Sequence, residues 1–173
     1  MLDPTGFAER SADHTLAPRP ASLRGITVGL LDNTKANAVP LLQEFADELR
    51  RRYNIGECRL YTKDYFGTPV KDELLKQIVA ECNLLVTAIG DCGSCSAATV
   101  ADGILFERAG LPAVSICSDS FRTSGRAMAK LQGFPGYRFL VVQHPVASID
   151  AAQIRDRVRD AMPELLTILG VEA

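Results

Sequence analysis

Five short runs of apolar residues alternate with five segments of helical periodicity, and this alternation limits the possible folds more than any other feature. The apolar runs cover residues 26–31, 58–62, 84–89, 112–117 and 139–142. The helical segments cover residues 39–53, 71–80, 97–108 and about 121–131, and the last runs from a cap at 148–150 to 169. Such alternation is typical of a parallel sheet with helices on both faces. We predict a doubly wound α/β fold, flavodoxin-like or Rossmann-like, with a mostly parallel five-stranded sheet.

The first part of the chain does not follow this alternation. Residues 1–24 contain Pro4, Pro18 and Pro20 and sustain no period, which predicts an extended arm ahead of a single α/β domain at 25–173. The arm is either disordered or lies across a neighbouring subunit, and we expect a homo-oligomer. Pro163 falls inside the last helical segment, where it is expected to interrupt or kink the helix.

Charge and hydropathy exclude several classes of partner. The formal net charge is −2 and no basic block is present, so nucleic-acid binding is not expected. No apolar run approaches the roughly 20 residues needed to span a membrane, and the first residues do not resemble a secretory signal. A cytoplasmic protein is therefore expected. The phosphate-loop and dinucleotide fingerprints are missing from the sequence, and no cofactor is predicted.

Two thiols lie where the third strand leads into a helix, in the segment Gly-Asp-Cys-Gly-Ser-Cys-Ser at 90–96. A helix N-terminus favours the thiolate form of a cysteine, and a Cys-x-x-Cys pair can form a reversible disulfide. Cys92 comes first after the strand, so we predict that it is the nucleophile and that Cys95 is the resolving thiol. The alternative is that both are small buried residues packed at a strand end.

The other three cysteines are expected to have different roles from this pair. Five cysteines without a secretory signal favour reduced thiols over a disulfide framework. Cys117 ends the neighbouring strand and is either a second catalytic thiol or a core residue. Cys58 and Cys82 are interpreted as structural. A single Cys-x-x-Cys pair lacks the ligands for structural zinc, and no metal site is predicted, although a soft-metal site of Cys92, Cys95 and Cys117 stays open as an alternative.

Polar residues follow the other predicted strands. The carboxyl ends of parallel strands meet at one edge of the sheet, where open α/β folds bind ligands. His144 follows the fifth strand and suits general acid–base work, unless it is a surface histidine at a turn. Lys35 and Lys63 could hold an anionic group or could be ordinary solvated charges. The predicted contacts to a small-molecule substrate are Asp32, Asn33, Lys35, Asn37, Lys63, Ser94 and Ser96.

The segment Cys92-Gly93-Ser94-Cys95 resembles the signature of the UGSC family of selenoproteins and their cysteine-containing relatives. The resemblance extends over nearly the whole chain, through 3–5, 17–23, 29–38 and His144-Pro145. In that family the first position of the signature is selenocysteine in some members, which implies a redox or nucleophilic role for Cys92. The resemblance also implies that the arm is ordered.

A looser resemblance concerns the layout of strand, cysteine loop, helix and the segment 110–114. It is similar to one half of an aspartate/glutamate racemase or a maleate isomerase, which use cysteines on such loops as acid, base or nucleophile. Those enzymes have two such halves, and this chain has one.

Three functions are therefore kept in view. The first is a thiol-dependent oxidoreductase in which Cys92 attacks an electrophilic or oxidised small molecule, Cys95 resolves the intermediate and an external thiol regenerates the enzyme. The second is a non-redox isomerase, lyase or hydrolase that uses Cys92 alone. The third is a module that binds a soft metal or a partner.

Overall fold

The computed structural model describes residues 14–171 and contains every predicted strand and helix. A single 3-10 turn at Asp119–Phe121 precedes the fourth helix. The elements in chain order are β1 (Val28–Asp32), α1 (Ala38–Tyr53), β2 (Cys58–Thr62), α2 (Asp72–Glu81), β3 (Leu84–Gly90), α3 (Gly93–Arg108), β4 (Ala113–Ser118), α4 (Arg122–Leu131), β5 (Leu140–Val142) and α5 (Ala151–Leu169).

The strands form one sheet in the order β2-β1-β3-β4-β5, and every neighbouring pair is parallel. This is the strand order of flavodoxin-like doubly wound folds, so the predicted fold class is confirmed. All residues of β1, β3 and β4 are buried, as expected for central strands that are covered on both faces. The carboxyl ends of β3, β4 and β5 therefore lie side by side along one edge.

Two helical layers cover the sheet. One core packs α1 and α5 against one face and includes Phe45 and Met162. Two further clusters pack α2, α3 and α4 against the other face. None of the helices in the described range has the length and apolar character needed to cross a membrane.

Helix α5 runs through Pro163 without a break, so the expected interruption is wrong. Proline removes one backbone donor and crowds the preceding turn. Met162 and Leu165 on either side of it are fully buried, and Leu166 nearly so. Their burial against the sheet holds the helical path, because each buried side chain of this size contributes about 2 kcal/mol.

Residues 14–24 run over the domain as an extended segment, and residues 1–13 of the predicted arm lie outside the described residues. The contact that fastens this segment is the carboxylate of Glu107 near the end of α3, which is only 2% exposed. It accepts hydrogen bonds from the Ala17 N–H (2.7 Å), from Arg19 (2.7 and 2.8 Å) and from the Ala113 N–H (3.0 Å). Arg19 also donates to the carbonyl of Ile168 at 3.3 Å, which joins the segment to α5.

Arg19→Ala should destabilise the domain, because it leaves the buried charge of Glu107 without its cation. Breaking one side of such a pair costs about 3 kcal/mol. Urea unfolding measures the loss, and faster proteolytic cleavage before residue 24 should accompany it. Arg24→Ala is the matched control, since Arg24 is exposed. Equal stability of the two variants would contradict the proposed fastening.

Candidate functional site

The cysteine loop joins the end of β3 to the start of α3. Cys92 and Cys95 form a disulfide, with Cα atoms 5.2 Å apart. Cys92 is the N-cap residue of α3, and its sulfur accepts a hydrogen bond from the Cys95 N–H at 3.2 Å. Ser96 fastens the turn by donating its hydroxyl to the Cys92 carbonyl at 2.7 Å. Cys92 is half-buried whereas Cys95 is fully buried, so solvent reaches the pair through Cys92.

Close packing beneath this loop explains the glycine that precedes it. A Cβ on Gly90 would lie 2.7 Å from both Cys117 Sγ and Ser96 Oγ. Cys117 is fully buried there, and burial raises the pKa of its thiol to about 12. A thiol that stays protonated and has no access to solvent is not placed to act as a nucleophile. The structure therefore puts Cys117 in the core under the loop and corrects the expectation of a second catalytic thiol.

Asp91 holds His144 beside the cysteine loop. One carboxylate oxygen lies 2.9 Å from His144 Nδ1, and the other accepts the backbone N–H groups of Val146 (3.0 Å) and Ala147 (2.8 Å). Burial alone would raise the pKa of Asp91, but these N–H groups and the neighbouring His144 together hold it below its usual value. The carboxylate is therefore ionised at neutral pH and is directed to the loop after β5.

The hydrogen-bonding network assigns the proton of the imidazole. An ionised carboxylate only accepts hydrogen bonds, so His144 Nδ1 carries the proton that Asp91 receives. Ser118 Oγ donates to the Gly90 carbonyl at 3.3 Å, and its lone pair faces the same Nδ1–H at 3.1 Å. No residue of the range 14–171 forms a hydrogen bond with Nε2. Neutral His144 therefore presents Nε2 as a proton acceptor.

Two further residues position His144, and neither was among the predicted catalytic or substrate-binding residues. The carboxylate of Asp119 accepts the His144 backbone N–H at 3.0 Å. The ring of Phe121 packs edge-on against the imidazole, with centroids 5.4 Å apart. The available signal was the position of Asp119 directly after the fourth strand, at the edge where the carboxyl ends of the strands meet.

The candidates after β1 hold loops together. Asp32 accepts the Thr34 N–H at 2.7 Å, and Asn33 is fully buried and donates to the Ile89 carbonyl at 2.8 Å. Asn37 donates to the carbonyls of Val146 (2.8 Å) and Ile149 (2.9 Å), so it fixes the loop that carries His144. The ammonium group of Lys35 lies 4.5 Å from the centre of the Phe66 ring. Asn33 and Asn37 therefore fix the end of β3 and the loop that carries His144.

Lys63 is buried and forms an ion pair inside the fold. It is 4% exposed, and its ammonium group lies 2.5 Å from Asp102 of α3, which also accepts the Val70 N–H at 2.7 Å. Burial raises the pKa of Asp102, against the opposing effects of Lys63 and Val70. Because this ammonium is already paired, the expectation that Lys63 holds a substrate anion is corrected. Asp102 itself is fully buried.

The two serines of the loop have different surroundings. Ser94 is exposed, with its hydroxyl 3.7 Å from Cys92 Sγ, whereas Ser96 is fully buried. Within the described part of the chain, no three His, Cys, Asp or Glu side chains are grouped as a metal site would require. Cys92, Cys95 and Cys117 therefore do not form the alternative soft-metal centre in this structure.

Comparison with known proteins identifies one family. The family model of the UGSC family matches residues 1–171. No curated protein matches the sequence. Among solved structures, the crystal structure of a diflavin flavoprotein A3 from Nostoc sp. aligns at 11% identity over 86% of this chain and 99% of that chain, with a TM-score of 0.39. A likeness this distant carries no argument, and the fold assignment rests on the strand order.

After reduction, Cys92 should be alkylated faster than every other cysteine at pH 7. Its sulfur lies at a helix N-terminus, which favours the thiolate, whereas burial raises the pKa of the Cys58, Cys82 and Cys117 thiols. We expect a lead of at least about tenfold over Cys58, equivalent to one pKa unit. Timed iodoacetamide labelling with peptide mapping measures it. Labelling of Cys58 at the rate of Cys92 would contradict the assignment.

Asp91→Asn should weaken the dependence of the free energy of unfolding on pH at acidic pH. The pKa of Asp91 is lowered by folding, so its stabilising contribution is complete above its unfolded pKa of about 3.9 and is lost as the pH falls through the folded value. At pH 7 the variant should lose about 1–3 kcal/mol, because an amide cannot accept all of these hydrogen bonds. Urea unfolding between about pH 2 and 7 measures both effects.

Asp160→Asn is the control for that series, since the Asp160 side chain is 75% exposed. Its stability should follow the wild-type dependence on pH. If Asp91→Asn and Asp160→Asn behave alike, the carboxylate of Asp91 does not hold the loop as described.

Proposed function

The chain belongs to the UGSC family, and we propose that it is a thiol-dependent reductase of small oxidised molecules in which Cys92 is the nucleophile and Cys95 the resolving thiol. One observation carries this proposal. The two sulfurs are joined at the start of a 16-residue helix, with the first partly exposed and the second fully buried. This is the arrangement that a reversible dithiol needs, because substrate can meet only one sulfur.

The chemistry balances with two thiols and an external reductant. The Cys92 thiolate attacks the oxidised sulfur of a disulfide substrate, a mixed disulfide forms, and the first thiolate leaves. Cys95 then gives up its proton and attacks Cys92 Sγ, which releases the second thiolate and forms the Cys92–Cys95 disulfide. The protein has lost two electrons and the substrate has gained them. An external thiol of low molecular weight, or a protein dithiol, reverses the exchange and restores both thiols.

His144 is proposed to handle the protons of this cycle. Nε2 can take the proton of the attacking thiol and return it to the leaving thiolate. Asp91 acts as a positioning residue, since it fixes the tautomer and stabilises the imidazolium that forms. A neighbouring carboxylate disfavours a thiolate. Here His144 and two backbone N–H groups already bind the carboxylate of Asp91, and these donors partly offset its effect on Cys92.

The Asp91–His144 pair also favours a second candidate function. The same pairing activates nucleophiles in enzymes that use no redox step, where only one thiol reacts. In that case the protein would be an isomerase, lyase or hydrolase, and Cys95 would be dispensable.

A stoichiometric reaction with excess 4,4′-dithiodipyridine separates the two candidates. Reduced wild type should release two thiopyridones rapidly through Cys92 and Cys95 and contain the Cys92–Cys95 disulfide by mass spectrometry. Cys95→Ser should release one and retain the adduct on Cys92. Cys92→Ser should lose the rapid phase, by about a hundredfold or more in rate, because burial raises the pKa of the remaining free thiols.

Cys58→Ser is the matched control, since Cys58 lies on β2 and is the free cysteine with partial exposure. Its rapid phase should equal that of wild type. If wild type stops at one adduct on Cys92 without forming the internal disulfide, the redox proposal is wrong and the single-thiol function gains support. Loss of the rapid phase in Cys58→Ser would overturn both candidates.

A further inference from the structure

A groove along helix α4 collects positive charge that the fold does not neutralise. It has a volume of about 300 Å³ and runs along the edge strand β5, between α4 and α5. Three arginines line it, Arg122, Arg126 and Arg138, together with one carboxylate, Glu164. Arg138 pairs with Glu164 at 2.6 Å. Neither Arg122 nor Arg126 has an ion-pair or hydrogen-bond partner for its guanidinium group within residues 14–171.

The two unpaired arginines are exposed, and their spacing makes this placement mildly unfavourable in the absence of a ligand. Arg122 and Arg126 are four residues apart on α4, so they share one face of the helix, where like charges repel. Gly125 brings that helix close to the sheet edge, because a Cβ there would lie 2.7 Å from the Phe139 ring. The close approach sets both guanidinium groups over a concave surface. An anion with two or more oxygens would relieve the repulsion and accept their forked donors.

The groove and the proposed site lie on opposite sides of the first turn of α4. Phe121, one residue before Arg122, packs against the His144 ring at 5.4 Å. Across the same turn of α4, a Cβ on Gly93 of the cysteine loop would lie 3.9 Å from Ser124 Oγ. The first turn of α4 therefore lies against the Cys-x-x-Cys segment on one side and presents its arginines to the groove on the other.

We propose that this groove binds the anionic group, a carboxylate or a phosphate, of the molecule that exchanges electrons at Cys92. The inference rests on the proposed function and narrows its substrate class from oxidised small molecules to anionic ones. Arg122 and Arg126 are the residues that select it. Glu164 neutralises only Arg138, so the groove keeps two uncompensated positive charges for the ligand.

Two aromatic disulfides of different charge test the assignment. 5,5′-Dithiobis(2-nitrobenzoate) carries two carboxylates and 4,4′-dithiodipyridine carries none at neutral pH. Each accepts two electrons from Cys92 and Cys95 and releases two thiol products, so the second-order rate constant of the rapid phase is measured with the same protein. Arg126→Gln should lower the ratio of the dianionic to the neutral rate constant about fivefold, the value of one charge contact in water. The Arg122→Gln/Arg126→Gln double variant should lower it further.

Arg155→Gln supplies the control, since Arg155 is an exposed arginine on α5 that does not line the groove. Its ratio should stay at the wild-type value. Inorganic phosphate should slow the dianionic reagent more than the neutral one, and this difference should disappear in the double variant. Far-ultraviolet circular dichroism confirms that each variant is folded.

The failure of each proposal has its own signature. A wild-type protein whose Cys92 reacts rapidly with neither reagent overturns the proposed function before any arginine is changed. Suppose that both reagents react rapidly but the ratio of the dianionic to the neutral rate constant is equal in Arg126→Gln and Arg155→Gln. The proposed reductase function is then retained, and the proposed anion site in the groove is wrong. Phosphate inhibition that persists unchanged in the double variant also overturns it, because the anion then binds elsewhere.

Discussion

The Asp91 carboxylate is the contact on which the arrangement of the site depends. It directly precedes Cys92 in the chain and reaches across the end of β4 to the loop after β5, where it binds His144 and two backbone N–H groups. A buried charge is tolerated only when donors surround it, and here those donors belong to the segment that must be positioned. The hydrogen bonds that offset the cost of burying this carboxylate also fix the two loops relative to each other.

The parallel sheet makes this contact possible, and the other polar strand ends support it. Asn37, after β1, holds the same loop through two carbonyl groups, and Asn33 fastens the end of β3. Loops at the edge of a sheet carry many backbone groups without ladder partners, and these groups must be satisfied when they are buried. Polar residues at the carboxyl edge, such as Asn33 and Asn37, therefore hold the loops in place.

The fold could be predicted because alternating periodicity determines which segments are strands and which are helices, and parallel strands then share an edge. The location of the cysteine pair followed from the same pattern. This pattern does not predict which residue a long side chain will contact. Lys63 follows a strand like the other candidates, but its partner Asp102 lies 39 residues away on a helix that is buried on most sides. Glu107 is likewise buried near the end of a helix, and its partner Arg19 lies 88 residues earlier in the chain.

The full burial of Cys95 has a kinetic consequence. Since only Cys92 Sγ can be approached from solvent, an oxidant and a reductant must use a single entrance and cannot occupy it together. A dithiol cycle on this loop would therefore obey double-displacement kinetics, in which one co-substrate leaves before the other arrives. Each co-substrate would compete with the other at high concentration, so throughput would peak at intermediate concentrations of both.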